Sequence, residues 1–338
     1  MTTKAGRPID TVAEGPFFDE LAVGMRFTSA PGVTLTAGQA TVHQSIVGDR
    51  LRLPLDEPLC REVLGAGPLA HPALVWDMAI GQSTLATHHV RANLFYRGLV
   101  FQRAPLLGDT LRTTTEVVAL RQNTPRAGRR PTGLAALRIT TADQHDRPVL
   151  DFWRCAMLPL RDADARTGHR DDLDAVGEEP GPEALARPVA GWRLDDFPAA
   201  GHGRVPVPGQ TVRVVGGDVV TSAPELARLT LNVAQVHHDA AAAGGRRLVY
   251  GGHTIGIALA QACRAFPGLI TVVGWHGCDH VGPVHEGDTL RSTVGVMRID
   301  PLKSGGCLVH LRSRVWADGE TAEEACEVLD WRYVALLA

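Results

Sequence analysis

The chain has 338 residues and a net charge of −3, and 44% of its residues are hydrophobic. This length is enough for two domains of ordinary size, and the near-neutral charge argues against nucleic-acid binding, which needs a basic surface. The sequence contains no run of about 18 apolar residues, so no membrane-spanning helix is predicted. The six cysteines are scattered without a CxxC pair and the N-terminus is polar, which predicts a cytoplasmic protein with reduced thiols.

The two halves of the chain show the same order of predicted elements. A leading segment with a turn at Gly24 is followed by a mostly helical region, one apolar helix and then alternating strands, and the order repeats after Gly209. In the second half the helix is predicted at residues 254–265, which are apolar nearly all round and therefore expected to be buried. Residues 308–316 (LVHLRSRVW) alternate apolar and polar side chains, as in a half-buried strand. A buried helix followed by long strands predicts a sheet wrapped around that helix.

Two motifs recur with one common spacing. Residues 108–114 (GDTLRTT) return 179 residues later as residues 287–293 (GDTLRST). Residues 149–154 (VLDFWR) return as residues 328–332 (VLDWR), and their starting points are again 179 residues apart. Two anchors with one offset indicate an internal duplication, and the period is far longer than that of a solenoid.

Between the two copies lies a segment of different composition. Residues 161–205 are rich in Asp, Arg, Glu, Pro and Gly. Such a stretch buries little and predicts a linker on the surface, which the apolar residues Trp192, Leu194 and Phe197 are expected to hold in place at one point. The predicted domains are therefore an N-terminal domain (1–160) and a C-terminal domain (206–338), joined by this linker.

A family motif appears once in each half. Residues 48–56 (GDRLRLPLD) and 70–72 (AHP) in the first half have counterparts in residues 232–239 (NVAQVHHD) and 247–255 (RLVYGGHTI) in the second. These segments resemble the MaoC-like dehydratases and R-specific enoyl-CoA hydratases, whose motif is approximately G-D-x-N-P-x-H-x-D, followed by A-H-G at the start of the central helix. The second-half segment is also similar to that of mesaconyl-CoA hydratases, also called methylmalyl-CoA dehydratases, which share the tandem design.

The resemblance implies a fold and a class of reaction. The fold would be an α+β double hotdog, with two antiparallel sheets that are each wrapped around a central helix. The reaction would be that of a lyase, a hydratase or dehydratase acting on a 2-enoyl-CoA or 3-hydroxyacyl-CoA thioester. The CoA thioester is then substrate, and no further cofactor is expected. Neither nucleic acid nor a membrane is an expected partner, and a homodimer of double-hotdog chains stays open.

The chemistry of hydration places the predicted reaction site in the second half. Addition of water to an enoyl thioester needs a base and a donor that stabilises negative charge on the thioester oxygen. The first half has Pro54 at the motif histidine and Pro72 at the helix-start glycine, and proline is neither a base nor an N–H donor. The second half keeps a histidine and a glycine. We therefore predict His237 as the base and the Gly252 N–H as the oxyanion donor.

Several neighbours of these residues are further candidates. Asn232 stands where the family has an acid. Because an amide is not a base but can hold water, Asn232 is predicted to position water or substrate. Tyr250, Gly251 and His253 are predicted at the substrate site, although His253 could instead only fill space.

Two basic residues and a histidine-rich strand complete the candidates. Arg246 and Arg247 precede the glycines, and they could contact the CoA phosphates through their forked donors or lie on a solvated loop. His276, Cys278 and His280 alternate and would share one face of a strand. They lack paired ligand spacings and a fourth ligand, so no metal site is predicted, and His280 is assigned to the pocket wall or to strand pairing.

Two other functions stay open from the sequence. The first is an acyl-CoA thioesterase, since hotdog proteins also hydrolyse acyl-CoA. The second is a catalytically inactive acyl-CoA-binding hotdog protein, which the amide at Asn232 would suit.

Overall fold

The structure, a computed structural model, describes residues 12–197, 205–318 and 325–338. Within these residues the first half of the chain consists of a helical region followed by long strands. Its helices are α1 (Ala37–Val47), α2 (Arg52–Leu55), α3 (Glu57–Leu64) and α4 (Pro72–Gln82). Its strands are β1 (Arg26–Phe27), β2 (Val33–Thr34), β3 (Ala92–Phe101), β4 (Thr110–Gln122), β5 (Thr132–Ala142) and β6 (Pro148–Pro159).

The second half repeats this plan after a short helix α5 (Pro182–Ala186) in the predicted linker. Its helices are α6 (Ala223–Leu229) and α7 (Gly251–Ala265). Its strands are β7 (Thr211–Arg213), β8 (Asp218–Val219), β9 (Leu269–His280), β10 (Thr289–Pro301), β11 (Cys307–Asp318) and β12 (Cys326–Leu337).

The two sheets are antiparallel and join edge to edge. The strand order is β1-β4-β5-β6-β3 in the first half and continues as β9-β12-β11-β10-β7 in the second, while β2 pairs with β4 and β8 with β10. The junction is the antiparallel pair β3–β9, in which Tyr96 lies opposite Cys278. The predicted α+β double hotdog is confirmed, and its two sheets form one continuous surface.

The central helices α4 and α7 are buried in the concave side of this surface. Every residue of α4 is buried, and so is every residue of α7 except Gly251 and Arg264. The all-round apolar pattern predicted this burial, but α7 begins at Gly251, three residues before the predicted start. The extended residue Tyr250 is the last one before the helix, so both glycines lie inside its first turn.

The predicted linker packs closely against the domains. Leu185, Val189 and Trp192 are buried in one apolar cluster with Val63 of α3 and Val273 of β9. Leu194 and Phe197 belong to the same cluster. The segment is therefore held along much of its described length.

His276 does not share a face of β9 with Cys278 and His280. In the pairing of β12 with β9, Arg332 lies opposite Gly277 and Tyr333 opposite Trp275, so His276 is the extra residue of a β-bulge. The bulge turns His276 toward His310, whose Nδ1 lies 2.8 Å from its Nε2. In the part of the chain that the structure describes, no three His, Cys, Asp or Glu side chains are placed to hold a metal ion.

Helix packing at Gly81 gives a first prediction. A Cβ on Gly81 of α4 would lie 1.8 Å from the carbonyl oxygen of Thr230, so Gly81→Ala must push the backbone that leads to Asn232. We expect the free energy of unfolding to fall by about 1–3 kcal/mol, as for overpacked cores, measured by chemical denaturation. Gly38→Ala in α1 is the matched control, because the nearest atom to its Cβ is 3.8 Å away. A neutral result for both variants would contradict the close packing at Gly81.

Candidate active site

A cavity of about 310 Å³ lies at the N-terminal end of α7, between the two halves of the chain; we call it the α7 cavity. Both halves contribute to its wall. The second half supplies Asn232, Ala234, Val236, His237, Leu248, Val249, Tyr250, Gly251, Thr254 and residues 280–284. The first half supplies Ile80, Thr84, Thr87, Val90, Arg91, Ala92, Asn93, Tyr96 and Arg154.

His237 is held in the form of a neutral base. It ends a 3-10 turn, Gln235–His237, and its Nδ1 lies 2.8 Å from the carbonyl oxygen of Leu248. Because a carbonyl only accepts, Nδ1 carries the proton, and the neutral ring keeps a lone pair on Nε2. Burial lowers the pKa of His237 to about 4, so the imidazole is neutral at neutral pH and can take a proton.

Asn232 lies in the wall of the α7 cavity and also borders a neighbouring cavity. Its Oδ1 accepts the backbone N–H of Ala234 at 2.9 Å, which fixes a local turn. No hydrogen bond from its NH₂ group is found among the described residues. In the first half, Asp49 Oδ1 accepts the N–H of Leu51 at the same distance. The matching turns show that Asp49 and Asn232 occupy equivalent positions.

The two glycines in the first turn of α7, Gly251 and Gly252, have different neighbours. The N–H groups at the start of a helix have no intrahelical acceptor, and Gly251 belongs to the cavity wall. A Cβ on Gly251 would lie 2.5 Å from His280 Nε2, whereas a Cβ on Gly252 would lie 2.0 Å from Asp77 Oδ1 of α4. The residue equivalent to Pro72 is therefore Gly251, since each is the first residue of its helix. The donor role assigned to Gly252 stays a prediction.

Tyr250 joins the α7 cavity to a buried polar network. Its ring lines the cavity, and its hydroxyl donates to Asp77 Oδ1 at 3.1 Å. The other carboxyl oxygen of Asp77 lies 3.1 Å from His43 Nε2. Burial raises the pKa of Tyr250 well above its ordinary value, so the hydroxyl keeps its proton and remains a donor.

His253 lies outside the cavity wall. It is fully buried, and neither ring nitrogen has a hydrogen-bond partner within the described residues. Burial lowers its pKa to about 4, with a smaller effect from the charge of His43. This placement favours the space-filling interpretation of His253.

Of the two arginines before the glycines, Arg246 is exposed and Arg247 is half-buried, and both are paired with acids. Arg246 Nη2 lies 3.0 Å from Asp288 Oδ1, and Arg247 Nη2 lies 3.1 Å from Glu286 Oε2. Neither lines the α7 cavity, although the next residue, Leu248, does. Their contact with CoA phosphates stays a prediction, and it would have to compete with these acids.

The sequence placed His280 in the pocket wall or in strand pairing, and it gave the first-half residues no place in the site. His280 lines the α7 cavity, its Nε2 has no hydrogen-bond partner in the described part of the chain, and burial lowers its pKa to about 4. The 3-10 turn Ser83–Thr87 and the first residues of β3 form the opposite wall. Only the alternation along β9 pointed to His280, and no motif marked the first-half residues.

The first-half counterpart of the α7 cavity is filled. Phe101 ends β3 where His280 ends β9, and the space around Ala70, Pro72 and Phe101 measures only about 20 Å³. Val189 and Trp192 of the linker form its far wall. The linker thus covers the place where a second site would be.

Asp49, the acid of the first-half motif, already has a partner. Asp49 Oδ1 lies 2.6 Å from His71 Nε2, and both side chains are buried. Pro54 follows Asp49 at the same spacing as His237 follows Asn232. The first half therefore has the geometry of the site without its base.

Comparisons with known proteins agree with this description. No family model matches the chain. A conserved hypothetical protein from Mycobacterium tuberculosis with a double hotdog fold is 53% identical and superposes with a TM-score of 0.88, over 96% of this chain and 99% of that one. The chain therefore belongs to a family of double hotdog proteins. A putative MaoC domain protein dehydratase from Chloroflexus aurantiacus shares the fold, with a TM-score of 0.86 and 22% identity, over 97% of this chain and 99% of that one.

Two curated relatives of this double hotdog protein are CoA-thioester lyases. β-Methylmalyl-CoA dehydratase of Chloroflexus aurantiacus is 25% identical over 357 residues, which is 96% of this chain and 97% of that protein. Mesaconyl-CoA hydratase of Cereibacter sphaeroides is 26% identical over 301 residues, 86% of this chain and 83% of that protein. The described residues contain no helix with the length and apolar character needed to span a bilayer.

Proposed function

We propose that this protein catalyses the reversible hydration of a 2-enoyl-CoA thioester in the α7 cavity, with His237 as the base. One observation carries the proposal. A neutral histidine, oriented by the Leu248 carbonyl with its Nε2 lone pair available, lines a cavity at the N-terminal end of a buried helix. The curated relatives, which hydrate or dehydrate CoA thioesters by name, support the same class of reaction.

In the proposed reaction, His237 Nε2 takes a proton from water while the water oxygen bonds to the β-carbon of the enoyl group. The electron pair of the double bond moves onto the thioester, and the negative charge grows on its oxygen. The protonated His237 then returns its proton to the α-carbon, which completes the 3-hydroxyacyl-CoA. Dehydration follows the same path in reverse.

The start of α7 would stabilise the thioester oxygen. Free N–H groups and the positive end of the helix dipole favour negative charge at a helix N-terminus. Gly251 lines the α7 cavity, whereas a Cβ on Gly252 would meet Asp77 of α4, so this proposal gives the donor role to the Gly251 N–H. Asn232 would hold the attacking water through its NH₂ group, since its Oδ1 is bonded to Ala234.

The exchange of Asn232 for Asp tests the electrostatics of this site. Asp keeps the oxygen that Ala234 needs and replaces the NH₂ with a carboxylate oxygen. A nearby anion favours the imidazolium, so the pKa of His237 should rise from about 4. We expect the acid limb of kcat/KM to move to higher pH in Asn232→Asp, compared with a wild-type profile that is flat around neutral pH. Superimposable profiles would show that Asn232 is not coupled to the base.

The proposed function is tested by incubating the protein with crotonyl-CoA and with mesaconyl-CoA. Enoyl absorbance and free thiol are followed together. Loss of absorbance without thiol release is the expected result. Release of thiol would identify a thioesterase, and ligand binding without either change would identify an acyl-CoA-binding protein.

A further inference from the structure

Arg154 is a buried cation in the wall of the α7 cavity. It lies on β6, its relative exposure is 3%, and it lines the same cavity as His237. Its Nη2 donates to the carbonyl oxygen of Ser83 at 3.2 Å and to Thr87 Oγ1 at 2.9 Å, and its Nη1 lies 3.5 Å from Asn93 Oδ1. All three of these partners are neutral.

No acid of the described chain neutralises Arg154. None of the ion pairs among the described residues involves Arg154. The Nε of Arg154 has no hydrogen-bond partner among these residues either. The residues that line the α7 cavity include neither Asp nor Glu. Burial of a cation without a counter-ion is costly, and arginine does not escape the cost by losing its proton. The cavity is therefore built to receive an anion.

The fold itself does not require a cation at this position. In the first half Arg154 pairs with Tyr96, and in the second half Tyr333 pairs with Trp275, so Tyr333 is the counterpart of Arg154. The Tyr333 hydroxyl lies 3.2 Å from Ser313 Oγ and is neutral. The charge is thus confined to the copy of this position that faces the α7 cavity.

The anion must belong to the part of the ligand that enters the cavity. The phosphates of CoA are strongly hydrated and suit an exposed cation, such as Arg91 at the rim of the α7 cavity. A guanidinium without solvent contact suits a planar carboxylate, which it binds through two parallel N–H donors. A cavity of about 310 Å³ fits a short acyl chain.

We propose that Arg154 binds a free carboxylate at the distal end of the acyl group and thereby selects acyl chains that carry one. This inference rests on the proposed function, since it assigns substrate selection to a residue of the same cavity. Arg154 is a specificity-determining residue in this account, and His237 performs the chemistry.

The kinetic test compares a carboxylated with an uncharged substrate. Wild-type protein should show a higher kcat/KM for mesaconyl-CoA than for crotonyl-CoA. Arg154→Gln should lose about tenfold to a hundredfold on mesaconyl-CoA, the range for a hydrogen bond to a charged group, and change little on crotonyl-CoA. Arg332→Gln is the matched control, because Arg332 is exposed on β12 and paired with Asp279. Equal losses on both substrates would overturn the inference and assign Arg154 to the thioester oxygen instead.

A binding test separates this inference from the proposed function. Succinyl-CoA and butyryl-CoA are saturated and cannot be hydrated, so their dissociation constants report recognition alone. Wild-type protein should bind succinyl-CoA at least about tenfold more tightly, and this preference should vanish in Arg154→Gln. Equal wild-type affinities would overturn the inference even if the variant fails to fold. A preference for succinyl-CoA without hydration of any enoyl-CoA would support the carboxylate site and contradict the proposed function.

Discussion

Replacing His237 with alanine is expected to lower kcat/KM for crotonyl-CoA hydration by about a hundredfold or more, the usual cost of losing a general base. The ring is oriented by the carbonyl of Leu248, and burial keeps it neutral. Alanine removes the proton acceptor and leaves the backbone of the turn unchanged. The measurement is the initial rate of loss of enoyl absorbance, together with the affinity for butyryl-CoA, which should be retained.

Two other histidines serve as comparisons for His237. His276→Ala should keep full activity, because His276 lies at the β-bulge and contacts His310 outside the α7 cavity. His280→Ala tests the other histidine in the wall. If the His237→Ala protein is folded and active while His280→Ala is inactive, the base has been assigned to the wrong residue.

Replacing the buried Asp77 with alanine is expected to lower the free energy of unfolding by about 3–5 kcal/mol, as when one partner of a buried pair is removed. Asp77 is fully buried between the Tyr250 hydroxyl and His43 Nε2. Its loss leaves both groups, which are themselves buried, without that partner. The measurement is the denaturation midpoint and slope at neutral pH.

A surface ion pair provides the control for Asp77→Ala. Glu57 and Arg61 form an exposed pair one turn apart on α3, and Glu57→Ala should cost no more than about 0.5 kcal/mol. Asp77→Asn should fall between the two, since an amide oxygen can still accept from Tyr250. Equal effects of Asp77→Ala and Glu57→Ala would contradict a structural role for the buried network.

The fold could be predicted from the sequence because a duplicated segment is expected to fold twice with the same topology. One offset shared by two distant motifs requires two copies of the same sheet and helix, and the resemblance supplied the name of that fold. The register of single residues was less secure. Residues 149–154 and 328–332 both end in Arg, yet the strands pair so that Arg154 faces inward and Arg332 outward. A shift of one residue along a strand exchanges its two faces.

The candidate site was predicted only on the side where a motif marks it. Of the residues proposed from the motif, His237, Asn232, Tyr250 and Gly251 line the α7 cavity, and Gly252 and His253 do not. The sequence did not predict a role for Arg154. That role depends on contacts between the two halves and on the absence of a neutralising acid among the described residues around it. Nor does composition show that the hydrophilic linker covers the other copy of the site with Trp192.

The most direct test of the account is to run the reaction in heavy-oxygen water and analyse the products by mass spectrometry. If His237 activates water for addition to the β-carbon, one heavy oxygen will appear in the acyl chain of an intact 3-hydroxyacyl-CoA. Under the same conditions His237→Ala should incorporate the label about a hundredfold or more slowly. A heavy oxygen in a free carboxylic acid, with release of CoA, would contradict hydration and identify hydrolysis of the thioester.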